Sequence, residues 1–200
     1  MAKMILIRHG ETDWNRERRY LSFTDIELNA QGAKQATAVG KRLAGERLER
    51  VYSSPSLRAF DFAKLALGRF PVEITPALKE MNFGAFEGMD HVELMRKYPE
   101  DYKKWLADPL NSIIPQGEAP CDFKERVMKA FGRIVSSNKN ANTAIVTHGG
   151  PIRMFVSAIS GVKDIWQIQV DPAGNTIVEF DSKLRAQVVM MNDTSHLKDG

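Results

Sequence analysis

Cysteine is almost absent from this chain. The single cysteine, Cys121, rules out a disulfide within the chain. Proteins of oxidising compartments commonly rely on paired cysteines, so this sparse use is typical of a reducing compartment. We therefore expect a cytoplasmic protein.

Long apolar runs and a strong excess of one charge are also missing. The N-terminal apolar run covers only Met4 to Ile7, which is far short of the ~20 residues that cross a bilayer and too short for a targeting signal. The 28 basic residues face 25 acidic ones, which is too even a mixture for a nucleic-acid surface. The sequence predicts a soluble protein that binds neither a membrane nor a nucleic acid.

The order of apolar and amphipathic segments predicts the fold. With 200 residues, 43% of them hydrophobic, and no break in composition, the chain is expected to form one domain over residues 1–200. Short strands that alternate with helices predict an α/β three-layer sandwich with a doubly wound, mostly parallel sheet and Met4–Ile7 in its centre. Two short helices that meet at Pro99 indicate a small helical cap, inserted at about residues 84–117.

Local signals predict several element boundaries. Asn29 is a good N-cap for a helix that runs to about Ala44. Residues 176–180 and 187–191 alternate as a hairpin at the edge of the sheet. The tail, residues 193–200, is expected to fray.

Two predicted strands end in a histidine followed by glycine. Arg8 and His9 follow the first strand, and His148 and Gly149 follow the buried run Ala144–Thr147, with a helix expected to start at Pro151. In open parallel sheets, ligands bind in the crevice outside the carboxyl ends of the strands. The two histidines are therefore expected to meet in that crevice.

A third signal indicates an anion site. Ser54 and Pro55 predict an N-cap and the first position of a helix, which places Arg58 in the first turn. A helix N-terminus carries free N–H groups and a partial positive charge, so an arginine beside it favours phosphate.

These residue types suit phosphoryl transfer. A neutral imidazole such as that of His9 can attack phosphorus and hold the group covalently, and arginine forks match phosphoryl oxygens in bidentate geometry. A carboxylic acid such as Glu80, in a loop with two glycines and two aromatic residues, can protonate the leaving oxygen and then deprotonate water. This chemistry needs no metal and no cofactor.

Structural readings compete with this interpretation. A histidine at the end of a strand is often a packed or hydrogen-bonded residue, Arg58 could be a solvated helix residue, and Glu80 could be a surface acid or a cap partner. Metal binding is disfavoured because His9 and His148 have no cysteine or nearby histidine at ligand spacing.

The motifs together resemble the histidine phosphatase superfamily, also called phosphoglycerate-mutase-like, over nearly the whole chain. The resemblance is carried by Leu6–Thr12 with Trp14-Asn15, Ser53–Ala59, Glu80 to Gly88, and Thr147–Arg153. It implies that His9 is the phosphorylated nucleophile and Glu80 the acid and base. It also implies which residues hold the phosphoryl group, namely Arg8, Arg58 and His148, with help from Asn15 and the backbone of Gly149.

Within the superfamily the sequence is most similar to the α-ribazole phosphatases of cobalamin synthesis. It departs from the common pattern at Leu21-Ser22 and at Ala119, and Leu21 and Ser22 border the expected substrate side. The alternatives are a broad-specificity or sugar-phosphate phosphatase, a cofactor-dependent phosphoglycerate mutase, and a non-catalytic module that binds phosphorylated ligands. The expected partner is a small phosphomonoester, and the chain is expected to be a monomer or a homodimer.

Overall fold

The computed structural model describes residues 2–198. In this part of the chain, the six strands are β1 (Ala2–Arg8), β2 (Arg50–Ser53), β3 (Val72–Ile74), β4 (Thr143–Thr147), β5 (Asn175–Phe180) and β6 (Ala186–Asp193). The seven α-helices are α1 (Asp13–Arg16), α2 (Ala30–Arg42), α3 (Leu57–Leu67), α4 (His91–Lys97), α5 (Pro99–Ala107), α6 (Pro120–Ser137) and α7 (Gly149–Ser160). Short 3₁₀ turns lie at Pro76–Leu78, Gly84–Phe86, Ile165–Gln167 and Ser195–Leu197.

The strands form one sheet in the order β3-β2-β4-β1-β5-β6. The four strands from β3 to β1 run parallel, and β5 and β6 are antiparallel to their neighbours. Strand β1 is central, with Leu6 beside Ile145 of β4. The predicted α/β fold, the central position of the first strand and the edge hairpin are confirmed.

Alternation along β1 divides the core between the two faces of the sheet. Ile5 and Ile7 face the cluster built on α2 and α3, and Met4 and Leu6 face the cluster that contains residues of α6 and α7. Because all four side chains are almost fully buried, the strand is apolar throughout instead of alternating with polar residues. This is the three-layer arrangement that the sequence predicts.

A third apolar cluster belongs to the helical cap. It contains Phe86, Leu94, Tyr102, Trp105 and Ile114, all almost fully buried. Helix α4 starts on a capping box, and Tyr98 alone separates it from α5, which begins at Pro99. The two helices therefore meet at the proline, as predicted.

Several boundaries differ from the expectations. Helix α2 has the predicted cap but ends at Arg42, two residues before Ala44. Helix α3 begins at Leu57 instead of Pro55, because the carboxylate of Asp25 accepts the Leu57 N–H at 3.0 Å. Helix α7 begins at Gly149, two residues before Pro151.

The expectation of a frayed tail is wrong for its described part. The Ser195–Leu197 turn contacts α2, and Asp193 Oδ1 accepts the Ser195 N–H at 3.0 Å. Residues 199–200 lie outside the described part of the chain. Among residues 2–198, no helix has both the length and the apolar character needed to cross a bilayer.

Candidate active site

His9 stands at the end of β1 with its tautomer fixed by two neighbours. Its Nδ1 lies 2.7 Å from the carbonyl oxygen of Gly10, which can only accept, so Nδ1 carries the proton. Arg58 Nε donates to Nε2 at 3.3 Å, which requires a lone pair on that nitrogen. Burial, then the charges of Arg58 and Arg8, lower the pKa of His9 well below 6.5. The ring is therefore neutral, and Nε2 is its nucleophilic atom.

Gly10 makes room for this loop to pass over α2. A Cβ on Gly10 would lie 2.7 Å from the carbonyl oxygen of Gly32, a contact that no side chain tolerates. The glycine thus lets the backbone after His9 approach the start of α2 closely.

Arg58 is fully buried in the first turn of α3. Its Nη2 donates to the Ser22 carbonyl at 2.7 Å, and its Nη1 donates to the Thr24 carbonyl at 3.1 Å. Burial lowers its pKa to about 10, partly offset by the charges of Glu80 and Glu87. The guanidinium is therefore held by neutral carbonyls, so its charge remains available to an anion.

His148 comes beside His9 because β4 pairs with β1. The two rings stand edge to face, with centroids 5.1 Å apart. Nε2 of His148 lies 2.8 Å from the Ser54 hydroxyl, and its Nδ1 is a buried atom without a hydrogen-bond partner within residues 2–198. Burial, then the charge of Arg58, lower the pKa of His148 well below 6.5.

Arg8 and Asn15 approach the site from β1 and α1. Arg8 Nη1 donates to the Val170 carbonyl at 2.7 Å, whereas its buried Nε has no partner in the described part of the chain. Burial, then the charge of Arg153, lower the pKa of Arg8 to about 10. Asn15 Oδ1 accepts the Thr12 N–H at 3.2 Å, so its NH₂ group is the part left for a ligand.

Glu80 is buried, with only 7% of its surface exposed. Its Oε1 accepts the Met81 N–H at 2.9 Å, and its Oε2 accepts the Gly150 N–H at 3.0 Å. Arg126 fixes the backbone here by donating to the Glu80 carbonyl at 2.8 Å. Glu80 is thus no ordinary surface acid, although the alternative of a cap partner is partly right, because Gly150 lies in the first turn of α7.

A cavity of about 180 Å³ adjoins these groups. Five of the predicted site residues line this cavity: Arg8, Asn15, Leu21, Glu80 and Gly149. The rest of its wall includes Tyr20, Phe83, Trp105, Phe123, Arg153 and Trp166. His9, Arg58 and His148 do not line the cavity themselves, but His9 follows Arg8 and His148 precedes Gly149.

Ser22 was predicted to contact the substrate, but its side chain is hydrogen-bonded within the protein. Its hydroxyl donates to the Glu87 carboxylate and accepts the Phe83 N–H at 3.0 Å. Glu87 also accepts the N–H groups of Ser22 and Thr24. Ser22 is 1% exposed, so it holds the rim together instead of lining the cavity.

The structure places three residues here whose contacts the sequence did not predict. Ser54 was expected to be the N-cap of α3, but Ser56 holds that position. Arg153 lines the cavity, Ser54 contacts His148, and Glu87 holds the rim. The motifs contain all three, yet their spacing does not indicate what they contact. Among residues 2–198, no group of three or more histidine, cysteine or acidic side chains is arranged to hold a metal ion.

The arrangement combines a neutral imidazole, two guanidinium groups and a carboxylic side chain in one buried site. Arginine charges in a buried site attract a dianion strongly, because little water screens them. An imidazole lone pair beside such a dianion's phosphorus can attack it, and a carboxylic acid can protonate the oxygen that leaves. The geometry fits phosphoryl transfer.

Comparison with known proteins gives the same result. Phosphoserine phosphatase 1 of Hydrogenobacter thermophilus is 30% identical, over 98% of this chain and 95% of its own length. The adenosylcobalamin/α-ribazole phosphatase of Escherichia coli is 30% identical, over 90% of this chain and 91% of its own. The phosphoserine phosphatase of Entamoeba histolytica, solved as a mutant with phosphoserine, superposes with a TM-score of 0.89 at 28% identity and covers 98% of this chain and 100% of its own.

The profile of the histidine phosphatase superfamily (branch 1) matches residues 4–194. The match covers all seven helices, all six strands except the first two residues of β1, and all the site residues described above. The chain therefore belongs to the histidine phosphatase superfamily.

Proposed function

We propose that this phosphatase hydrolyses phosphomonoesters through a phosphohistidine formed at Nε2 of His9. The observation that carries the proposal is a pair of buried nitrogens, Arg8 Nε and His148 Nδ1, that have no partner in residues 2–198. Buried polar atoms are normally hydrogen-bonded. Phosphoryl oxygens held beside His9 would supply the partners of both.

The neighbours of His148 support a donor role. When the Ser54 hydroxyl donates to Nε2 at 2.8 Å, the ring proton stands on Nδ1, and Nδ1 can donate to a phosphoryl oxygen. Arg8 and Arg58 neutralise the remaining charge of the group, and Asn15 and the Gly149 backbone add further contacts.

The reaction has two steps. In the first, Nε2 attacks phosphorus, the phosphorus–oxygen bond of the ester breaks, and Glu80 gives its proton to the leaving alcohol. In the second, Glu80 takes a proton from water, the water oxygen bonds to phosphorus, and the phosphorus–nitrogen bond breaks to release inorganic phosphate. His9 and Glu80 then return to their starting states.

Trapping the intermediate tests this mechanism. Acid-labile, alkali-stable phosphate should appear on His9 when the enzyme is quenched during turnover, and His9→Ala should lose both the label and the turnover. His91→Ala is the control, since His91 lies in the cap against Tyr102. Full turnover by His9→Ala would refute the assignment.

Two alternatives of the sequence analysis are open to the same assays. A cofactor-dependent mutase would convert 3-phosphoglycerate into its isomer when primed with the bisphosphate, whereas a phosphatase releases inorganic phosphate. A non-catalytic module would show no turnover, yet phosphate would raise its melting temperature by mass action.

Two phosphomonoesters are candidates for the natural substrate. α-Ribazole 5′-phosphate is the one that the sequence resemblance favours, and the Escherichia coli relative supports it, together with a place in cobalamin synthesis. Phosphoserine is the second, supported by the Hydrogenobacter thermophilus and Entamoeba histolytica relatives. Typical ligand pockets occupy ~300–1,000 Å³. Because the cavity here is only about 180 Å³, it favours phosphoserine, the smaller of the two.

Other sequence expectations stay predictions. These are the cytoplasmic location, the single domain over residues 1–200, and the monomeric or homodimeric state. Size-exclusion chromatography with light scattering decides the last of them.

A further inference from the structure

Arg153 brings an additional guanidinium to the wall of the active-site cavity. It lies on α7 one turn after Gly149, so both face the same side of the helix. Its Nε donates to the Ile168 carbonyl at 3.0 Å, and its guanidinium lies 5.8 Å from the ring centre of Trp166. The side chain is thus held in place at the wall of the cavity.

No acidic side chain in residues 2–198 forms an ion pair with Arg153. The other cavity arginine outside the phosphoryl site, Arg19, is paired with Glu17 and Glu93. Arg126, behind Glu80, is paired with Glu118. Buried cations are normally paired. Burial lowers the pKa of Arg153, and the charges of Glu80 and Asp171 offset part of that effect without forming an ion pair with it. Arg153 therefore differs from both in having a charge to offer to a ligand.

The guanidinium of Arg153 lies on the side of the site where the leaving group is expected, and not where the phosphoryl group is expected. A Cβ on Gly149 would lie 2.8 Å from Nη1 of Arg153 and 3.9 Å from Oε2 of Glu80. The guanidinium and the carboxylate therefore reach the same side of Gly149. Since Glu80 serves the ester oxygen in the proposed mechanism, a group near Arg153 belongs to the alcohol half of the substrate.

We propose that Arg153 binds a carboxylate on the alcohol half, so that the enzyme's substrates are phosphomonoesters of small hydroxy acids, including hydroxy amino acids. This proposal rests on the proposed function. A planar guanidinium matches a carboxylate with two parallel hydrogen bonds. Phe83, Trp105 and Trp166 give the cavity an aromatic wall, and its volume of about 180 Å³ suits a compact alcohol.

A different role for Arg153 would be to position Glu80 through its charge. The two roles differ in their substrate dependence. An arginine that positions Glu80 assists every alkyl phosphate equally, whereas one that binds a carboxylate assists only esters that carry it. Phosphoserine and phosphoethanolamine make this comparison directly, because they differ only in the carboxylate.

The experiment measures kcat/KM for both esters with the wild type, Arg153→Met and Arg153→Lys. Arg153→Met should lower kcat/KM for phosphoserine about 10- to 100-fold and that for phosphoethanolamine less than about threefold, because one charged hydrogen-bonded pair is lost. Arg153→Lys should fall between, since lysine keeps the charge but not the fork. Arg133→Met, on the exposed side of α6, is the matched control and should change neither value.

Equal losses for both esters would overturn the proposal in favour of a positioning role. No loss, or wild-type enzyme that prefers phosphoethanolamine or α-ribazole 5′-phosphate to phosphoserine, would also overturn it. A failure of the proposed function looks different, because His9→Ala would then keep its turnover of every ester.

A binding measurement covers the case of no turnover. In the His9→Ala background, phosphoserine should raise the melting temperature more than phosphoethanolamine does, and Arg153→Lys and Arg153→Met should each reduce that difference. If the difference is absent, or survives both substitutions, Arg153 does not bind the carboxylate. The melting temperature without ligand shows whether each variant is folded.

Discussion

The carboxylate of Glu80 occupies the space that a side chain on Gly150 would fill. A Cβ at this position would lie 2.1 Å from Oε1 of Glu80, while the Gly150 N–H donates to Oε2 at 3.0 Å. The proposed acid can therefore occupy its position only because residue 150 has no side chain. Any larger residue must displace either the carboxylate or the start of α7.

Gly150→Ala should consequently displace the carboxylate of Glu80 while the residue itself stays a glutamate. We expect kcat for alkyl phosphates to fall about 10²-fold, the lower range for loss of general acid–base catalysis. Gly132→Ala is the matched control, because a Cβ there meets nothing within 4 Å on helix α6. It should keep full activity and gain about 0.5–1 kcal/mol of stability, since alanine favours the helix. Equal kinetics for the two variants would contradict the role of Gly150.

Glu80→Gln keeps the shape of the side chain and removes its transferable proton. We expect the phosphorylation step to slow ~10²-fold or more for alkyl phosphates and less for aryl phosphates, whose phenolate leaves with little help. Dephosphorylation should slow for both, because it lacks its base. Rapid-quench measurement of the burst separates the steps. If both classes of ester slow equally in the first step, Glu80 is not the general acid, and Glu87 and Glu11 are to be tested next.

Sequence patterns predicted those parts of the site that follow from local order and sheet geometry. His9 and His148 end neighbouring parallel strands, and their rings lie 5.1 Å apart as the strand-end argument requires. The start of α3 was predicted to within two residues, and this was enough to place Arg58 in the first turn of the helix.

Sequence patterns could not predict contacts between residues that lie far apart in the chain. Asp25 accepts the Leu57 N–H from 32 positions away. Ser54, which was expected to cap that helix, contacts His148 at 2.8 Å. The pairing state of Arg153 depends on the acids that the fold brings near it, and no spacing in the sequence records them. Ser22 was predicted on the substrate side from its departure from the family pattern, whereas its hydroxyl is taken by Glu87.

Glu87 supports Arg58 through the rim of the site. It accepts the N–H groups of Ser22 and Thr24 at 2.8 and 3.1 Å, and Arg58 donates to the carbonyls of the same two residues. Glu87→Ala should lower kcat/KM about 10-fold through Arg58 and cost about 1–3 kcal/mol of stability through the unpaired groups. Glu125→Gln, in an exposed pair with Lys129, is the control. Unchanged kcat/KM in Glu87→Ala, measured with any ester the enzyme hydrolyses, would show that the rim does not hold Arg58.

The last prediction concerns pH and the two buried histidines. The pKa of His9 and that of His148 both lie well below 6.5 in the folded protein, because of burial and the nearby arginine charges. In the unfolded chain both take the ordinary value of about 6.5. As pH falls below that value, the unfolded chain binds protons that the folded one does not, so folding stability decreases.

Each histidine should contribute a slope of up to about 1.4 kcal/mol per pH unit between about pH 6 and 5. His148→Gln should therefore reduce the slope of unfolding free energy against pH by about that amount, as measured by urea unfolding in that range. From pH 7.5 to 8.5 the histidines are neutral in both states, so there the variant and the wild type should show parallel curves. The same low pKa should keep Nε2 of His9 unprotonated, and turnover high, at pH values where a solvent-exposed histidine is already charged. A wild-type slope that His148→Gln leaves unchanged would mean that His148 takes up its proton in the folded protein as readily as in the unfolded chain.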